Sequence, residues 1–298
     1  MAVIVPTLRF ERPLWQGGAT RVVGVDEVGV APTCGAVVAA AVIMPPNCHR
    51  IPGVRDSKTL SAAQRERLAP IIRRRAVAVG VGAASVADID RLNIYHATHL
   101  AMRRAIARLG GHDHVLVDGL RIAGFEQEVG PYTAIVDGDA LVYSISCASV
   151  VAKTVRDRMM HRLALRYPQY GWERNAGYAT LEHREAIRAH GLTPHHRKGW
   201  HALQVLLAGD QLSLFDQAVA EAEAVAEAKA VAEAEAVGAV EAAGEVDDAE
   251  AVNAYASIDA FEPADAFEPA DALEAIDAFD EDGQLDVETD LDRARVGA

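Results

Sequence analysis

The chain changes character near Phe215, and that break decides how much of it can fold. Residues 216–298 carry 25 acidic side chains against 3 basic ones, Lys229, Arg293 and Arg295. From Ala220 to Glu245 nearly every residue is Ala, Glu or Val, with no apolar stripe at helical spacing. A degenerate hexapeptide follows: Asp259-Ala260-Phe261-Glu262-Pro263-Ala264, then Asp265-Ala266-Phe267-Glu268-Pro269-Ala270. Repeated proline and dense like charge cannot bury enough surface to offset chain entropy. A disordered acidic tail is therefore expected over 216–298, acting as a solubiliser or as a regulator that competes with nucleic acid. Residues 1–215 hold 26 basic and 18 acidic side chains, so the net charge of −14 conceals a basic body. A body of that length can bury a real core, and its charge points to a polyanionic partner.

Several classes drop out. The longest apolar run, Ala36–Met44, is too short to span a bilayer. No basic stretch followed by an apolar one marks a secretory leader. Cys34, Cys48 and Cys147 are an odd, scattered set without a C-x-x-C pair, against a disulfide framework or a structural zinc site. A reducing cytoplasm is the expected compartment.

Within the body, Val22–Val25 and Ala36–Ile43 read as buried strands. Ser61-Ala62-Ala63-Gln64 is a capping box opening a helix to about Arg74. Ala76–Val81 reads as a strand, Val86–Asn93 and Ile94–Leu109 as helices, and His114–Asp118 as a strand with an Asp at its end. A strand follows near Ala134–Val136, then a long helix over Ser146–Tyr167 stopped by Pro168. Thr180 caps a helix ending at Gly191. Early strands and later helices predict an α/β protein, with a mixed sheet flanked by helices and a helical C-terminal half.

Four carboxylates stand out. Asp26 and Glu27 end the first strand, Asp118 ends another, and Asp139 follows Asp137-Gly138. Carboxylates at strand ends can converge at one sheet edge, where hard oxygen ligands suit Mg²⁺ or Mn²⁺. Two such ions can activate water and stabilise the leaving oxygen of a phosphodiester. The alternative is turn chemistry, which accounts for many Asp-Gly pairs. Asp26 and Glu27 are consecutive, so a regular strand sends them to opposite faces. Both serve one site only if the strand is irregular there or has ended.

From about Leu8 to Phe215 the chain resembles bacterial ribonuclease HII. The resemblance is carried in order by Gly24-Val25-Asp26-Glu27-Val28-Gly29, Asp56-Ser57-Lys58-Thr59-Leu60, Val117-Asp118-Gly119, Gly138-Asp139-Ala140, Ala148–Asp157, Tyr167–Gly171, Asn175-Ala176-Gly177-Tyr178 and Thr193–Arg197. It implies an RNase H-like fold and dependence on Mn²⁺ or Mg²⁺. It also implies endonucleolytic cleavage of RNA within RNA–DNA hybrids, leaving 5′-phosphate and 3′-hydroxyl ends. Asp26, Glu27, Asp118 and Asp139 match the family's four acidic residues, as catalytic residues and metal ligands.

One segment departs from the family pattern. Where the family has Gly-Arg-Gly after its Asp-Glu-Val, this chain has Gly29-Val30-Ala31. In the family this segment meets nucleotides around the ribonucleotide–deoxyribonucleotide junction. Val30 lacks the guanidinium that holds phosphate, and Ala31 adds a methyl where glycine allows close approach. Weaker selectivity for single embedded ribonucleotides is expected.

The resemblance also implies that Tyr178 stacks near the sugar bearing the 2′-hydroxyl. Lys58, Lys153, Arg156 and His196 are further candidates for substrate contact. Lys153 and Arg156 share a face of the long helix, where a solvated surface is the bland alternative.

Gln211-Leu212-Ser213-Leu214-Phe215 resembles the peptide by which bacterial replication and repair proteins dock on the DNA sliding clamp, with Gln211, Leu212, Leu214 and Phe215 as the contacts. A last apolar turn packing on the body is the alternative. The expected substrate is an RNA–DNA hybrid or a ribonucleotide-containing DNA duplex, without a membrane, acted on by a monomer. Two rivals stay open: a clamp-associated hybrid-binding protein with little nuclease activity, and another RNase H-like nuclease such as a junction resolvase.

Overall fold

The computed structural model describes residues 4–200 and Leu203. The expected tail and the Gln211–Phe215 peptide lie outside the described residues. At the centre is a five-stranded mixed sheet. Strands β1 (Val22–Val28), β2 (Val37–Ile43) and β3 (Ala78–Ala84) pair antiparallel in sequence order. On the other side of β1, strands β4 (His114–Asp118) and β5 (Tyr132–Ile135) add in parallel, giving the order β3-β2-β1-β4-β5. Every residue of β2 is buried, which is why its sequence is continuously apolar rather than alternating.

Helices cover both faces. In chain order they are α1 (Glu11–Gln16), α2 (Ala62–Arg75), α3 (Val86–Ala107), α4 (Phe125–Val129), α5 (Gly138–Leu141), α6 (Tyr143–Arg166), α7 (Trp172–Asn175) and α8 (Leu181–His190). Val23, Val25, Val115 and Val117 face one side, packing with Ala97, Ala101 and Ala105 of α3 and Phe125 of α4. The alternate residues Val22 and Leu116 face the other side, against Val142 and Ile145 at the start of α6. Tyr170, Trp172 and Ile187 then close a smaller core onto Met160 and Ala164 of α6, which fastens the C-terminal part to the sheet layer. Among the described residues no helix is long and apolar enough to cross a membrane.

Local signals explain most element starts. Ser61 and Gln64 form the reciprocal capping box at α2, and Ser85 with Asp88 forms a second at α3. The two helices expected over 86–109 are borne out: the segment labelled α3 is two helices joined across a kink at Asn93, whose φ of 67° and ψ of 168° are non-helical. The long helix begins three residues earlier than its sequence suggests. The cause is tertiary: the buried Glu11 carboxylate on α1 accepts the Ser144 N–H at 2.8 Å and so satisfies an otherwise orphan amide of the first turn.

Gly24 sets the distance between β1 and α6. A Cβ there would lie 2.2 Å from the Ser144 carbonyl carbon and 2.4 Å from the Ile145 nitrogen, both backbone atoms that cannot rotate away. Gly24→Ala is therefore expected to cost about 3 kcal/mol, the upper end of the range for overpacking. Urea denaturation of wild type and variant measures it.

Candidate active site

The C-terminal ends of β1 and β4 supply the first three acids. Pairing between these strands stops at Val25↔Val117, so Asp26 and Asp118 come next, side by side along two parallel strands. Alternation puts both on the α6 face, because Val25 and Val117 point into the α3 core. Glu27 follows on the opposite face. β1 does not end at the pair: it runs through Asp26 and Glu27 to Val28, still paired with β2. The strand is therefore neither finished nor unpaired from β2 at Asp26 and Glu27, while its edge facing β4 is open there.

Asp139 arrives from the next connection. Asp137 takes a left-handed backbone (φ 54°), and α5 starts at Gly138. The Asp139 N–H donates to Asp118 Oδ1 at 3.3 Å, tying the two acids together through backbone. The Asp139 carbonyl accepts the Ser146 hydroxyl at 2.5 Å, which fixes the turn to α6.

Burial and mutual charge act together on Asp26, Glu27 and Asp118. Burial raises Asp26 well above the usual aspartate value, and Glu27, Asp118 and Asp139 push it further. Burial, then the Asp118 and Asp139 charges, raise Glu27 to about 7. Asp118 is raised by burial and by Asp139, partly offset by backbone N–H groups of Asp139 and Gly138. The cation among them is Lys58, whose Nζ stands 3.3 Å from Asp139 Oδ2 on a largely exposed side chain. Burial works against the Lys58 ammonium, yet Asp139 and Asp26 hold its pKa above the ordinary lysine value.

Among the described residues no group of three or more His, Cys, Asp or Glu side chains is arranged so as to hold a metal ion. The donor set nevertheless fits a hard divalent cation. It is all oxygen, and its members repel one another when no ion lies between them.

The other candidate residues divide. Tyr178 is 48% exposed, and its ring is not packed in a core. Its segment borders the Gly29–Ala31 segment, since the Gly177 carbonyl accepts the Thr33 N–H at 3.0 Å. Val30 and Ala31 are exposed beside it. Ala31 has no left-handed φ, so its methyl imposes no backbone strain.

Two expected substrate contacts, Arg156 and His196, are corrected, because neither side chain reaches the surface. Arg156 is 1% exposed, with its guanidinium donating to backbone carbonyls rather than facing solvent. Lys153 donates to Asp157 Oδ1 at 2.6 Å, and Asp157 also takes Arg65 at 2.9 Å. His196 is fully buried, accepting the Thr193 N–H at Nδ1 and meeting His183 Nε2 at 3.2 Å. Burial and His183 lower its pKa to about 3, so it is neutral and cannot attract phosphate.

The comparisons fall on the same segments. A family model described as Ribonuclease HII matches residues 23–203, well over half the chain. The chain belongs to the ribonuclease HII family. It is 55% identical over 196 residues to a ribonuclease HII of Thermosynechococcus vestitus, covering 65% of this chain and 90% of that relative. Among solved structures it is similar to the ribonuclease HII in the PCNA complex from Archaeoglobus fulgidus. That match has a TM-score of 0.53 and 26% identity, over 62% of this chain and 96% of the other. It is also similar in fold to Bst-RNase HIII in complex with Mn²⁺, with a TM-score of 0.51 and 19% identity over 63% and 69% of the two chains. The RNase H-like fold expected above is thereby established. So is the activity class: the chain is a ribonuclease H, an endonuclease that cleaves RNA in RNA–DNA hybrids.

Two residues of the site escaped sequence reasoning. Asp56 accepts the Lys58 N–H at 2.8 Å and lies close enough to Asp139 for that charge to raise its pKa, after burial. Ser149 lies near enough to Asp26 to lower its pKa and donates to Ser57 Oγ at 2.8 Å. Both lie in stretches that carried the family resemblance. Their roles emerge only when α6 brings Ser149 under β1.

The raised acids give a sign for pH dependence. A carboxyl with a higher pKa folded than unfolded adds stability that is full below the unfolded value and lost as pH rises through the folded one. In chelator, stability should fall as pH rises from about 5 to about 7, with a slope of at most about 1.4 kcal/mol per pH unit for one group. Glu27→Gln should flatten that fall, as read by urea denaturation across the pH range.

Proposed function

We propose that this ribonuclease hydrolyses the phosphodiester through divalent ions held by Asp26, Glu27, Asp118 and Asp139, leaving 5′-phosphate and 3′-hydroxyl ends. The observation that carries the reading is the crowding of these four acids at one sheet edge, with Lys58 as their nearby cation. The Mn²⁺ complex of Bst-RNase HIII, a protein of the same fold, supports a divalent ion as cofactor. Bound there, two Mn²⁺ or Mg²⁺ ions would supply Lewis acidity to the attacking water and the leaving oxygen.

The chain's own residues do the rest. Asp26 and Asp118, on one face of adjacent strands, are the main ligands. Glu27 and Asp139 complete the set or order the attacking water. The Asp139 amide orients Asp118. Lys58 keeps its charge at neutral pH and is placed to meet a phosphate oxygen at the rim. Tyr178 and the Gly29–Ala31 segment, exposed beside one another, form the face that meets the duplex near the junction. The Gln211–Phe215 peptide is proposed to dock on a sliding clamp, supported by the PCNA complex of the Archaeoglobus relative. The acidic tail over 216–298 is proposed to be a separate segment beyond the catalytic body.

The test uses two labelled duplexes, a continuous RNA–DNA hybrid and a DNA duplex with one ribonucleotide, each with Mn²⁺ or Mg²⁺. The hybrid should be cut, and Asp118→Asn should lower its cleavage by at least about 10²-fold, the scale of losing one group that stabilises transition-state charge. Residual cutting by that variant at the wild-type rate would overturn the assignment. On the single-ribonucleotide duplex, Val30→Arg with Ala31→Gly should raise incision by about tenfold, as a charge-assisted phosphate contact predicts. No gain would overturn the role given to residues 30 and 31.

A further inference from the structure

Arg156 on α6 and Arg197 beyond α8 are among the largest fully buried side chains of the protein. They stand next to one another, and each guanidinium is bonded to main chain. Arg156 donates from Nε to the Ala36 carbonyl at 3.2 Å, from Nη1 to Ala176 at 3.0 Å and from Nη2 to Cys34 at 3.1 Å. Arg197 donates from Nε to Gly35 at 3.0 Å, from Nη1 to Val30 at 2.7 Å and from Nη2 to Gly29. Five of these six carbonyls belong to one loop, residues 29–36. The sixth, Ala176, belongs to the turn that carries Tyr178.

This is a costly way to hold a loop. Removing an ion from water costs several kcal/mol, and an apolar core of similar volume is often as stable. Among the described residues no carboxylate forms an ion pair with either arginine. The neighbouring Cys34 thiol is pushed up to about 12 by burial, so it stays neutral and supplies no counter-charge. Burial and the Arg156 charge lower Arg197 to about 9, which records the repulsion between the two. What the arrangement secures is conformation. Gly29 has a φ of +95°, and a Cβ there would lie 2.1 Å from Arg156 Nε. The loop backbone is wrapped against the guanidinium itself. In a planar trans peptide the N–H points away from the carbonyl. Drawing the Gly29 and Val30 carbonyls inward therefore turns the Val30 and Ala31 N–H groups towards the exposed side.

We infer that Arg156 and Arg197 are positioning residues, which hold the 29–36 loop and the Tyr178 turn in one relative geometry and so set how tightly the duplex is held, without touching it. The inference rests on the reading of the 29–31 segment as the face that meets the duplex. It needs the planar forks as well as the charge, because each arginine serves three acceptors that one ammonium cannot reach together.

The experiment uses the full chain with Arg156→Lys and with Arg197→Lys. Steady-state cleavage of the hybrid is measured below each variant's melting transition, and hydrogen exchange of the 29–36 segment is followed in parallel. Each variant should raise KM about tenfold while kcat falls less than about threefold, the pattern of lost binding rather than lost chemistry. Exchange of the 29–36 amides should quicken more than that of the β2 amides.

A lowered melting temperature with KM within twofold of wild type would reduce both arginines to structural residues and overturn the inference. The underlying reading is checked separately, by exchange of the 29–36 amides in Asp118→Asn with and without hybrid duplex. Protection on adding duplex supports the loop as a contact face. Its absence overturns that reading, and the inference with it, even if the lysine variants exchange faster.

Discussion

Repulsion among carboxylates at the open edge between β1 and β4 is the constraint around which the body is arranged. Burial and mutual charge raise Asp26, Glu27 and Asp118 together, so the fold holds an unfavourable cluster in place. Holding it takes the rest of the architecture. The sheet places Asp26 beside Asp118 by register alone. The left-handed turn at Asp137 delivers Asp139, and α6, lying close on β1 because Gly24 has no side chain, brings Ser149 beneath Asp26. Such tension is useful in a site for hard cations, because the energy stored in repulsion returns when positive charge arrives.

The same elements carry both the acids and the exposed loop. The parallel strands β1 and β4 and the connection to α5 carry the acids. The link from antiparallel β1 to β2 carries the loop whose outer side is exposed beside Tyr178. The two meet within a few residues, since Gly29 follows Glu27 by two positions.

Much of this was legible before any coordinates. His114–Asp118 was read with its observed bounds, and the Ser61–Gln64 box with both of its hydrogen bonds. Asp26, Glu27 and Asp118 were picked out by their place at strand ends, and Asp139 by its place after Asp137-Gly138. The failures have a common cause. Arg156 and His196 look like surface groups because arginine and histidine are usually exposed or catalytic, and nothing local shows that both are enclosed. Asp56, Ser149 and the Glu11 cap of α6 act across 83 to 133 residues of sequence, beyond the reach of any periodicity. The short helices α1, α4, α5 and α7 span six residues or fewer, too few turns to display a period of 3.6. The clamp-like peptide and the acidic tail rest on sequence alone.

The bonds from Arg197 to Gly29, Val30 and Gly35 join two points of the chain more than 160 residues apart. During synthesis the acids leave the ribosome first, with Asp139 made well before Arg197. The loop beside them cannot adopt its final path until the last part of the body has emerged. A polypeptide interrupted before that point carries all four carboxylates but lacks one of the two arginines that shape the neighbouring loop. The contacts that shape the loop beside Asp26 and Glu27 are thus complete only when the last part of the body has been made.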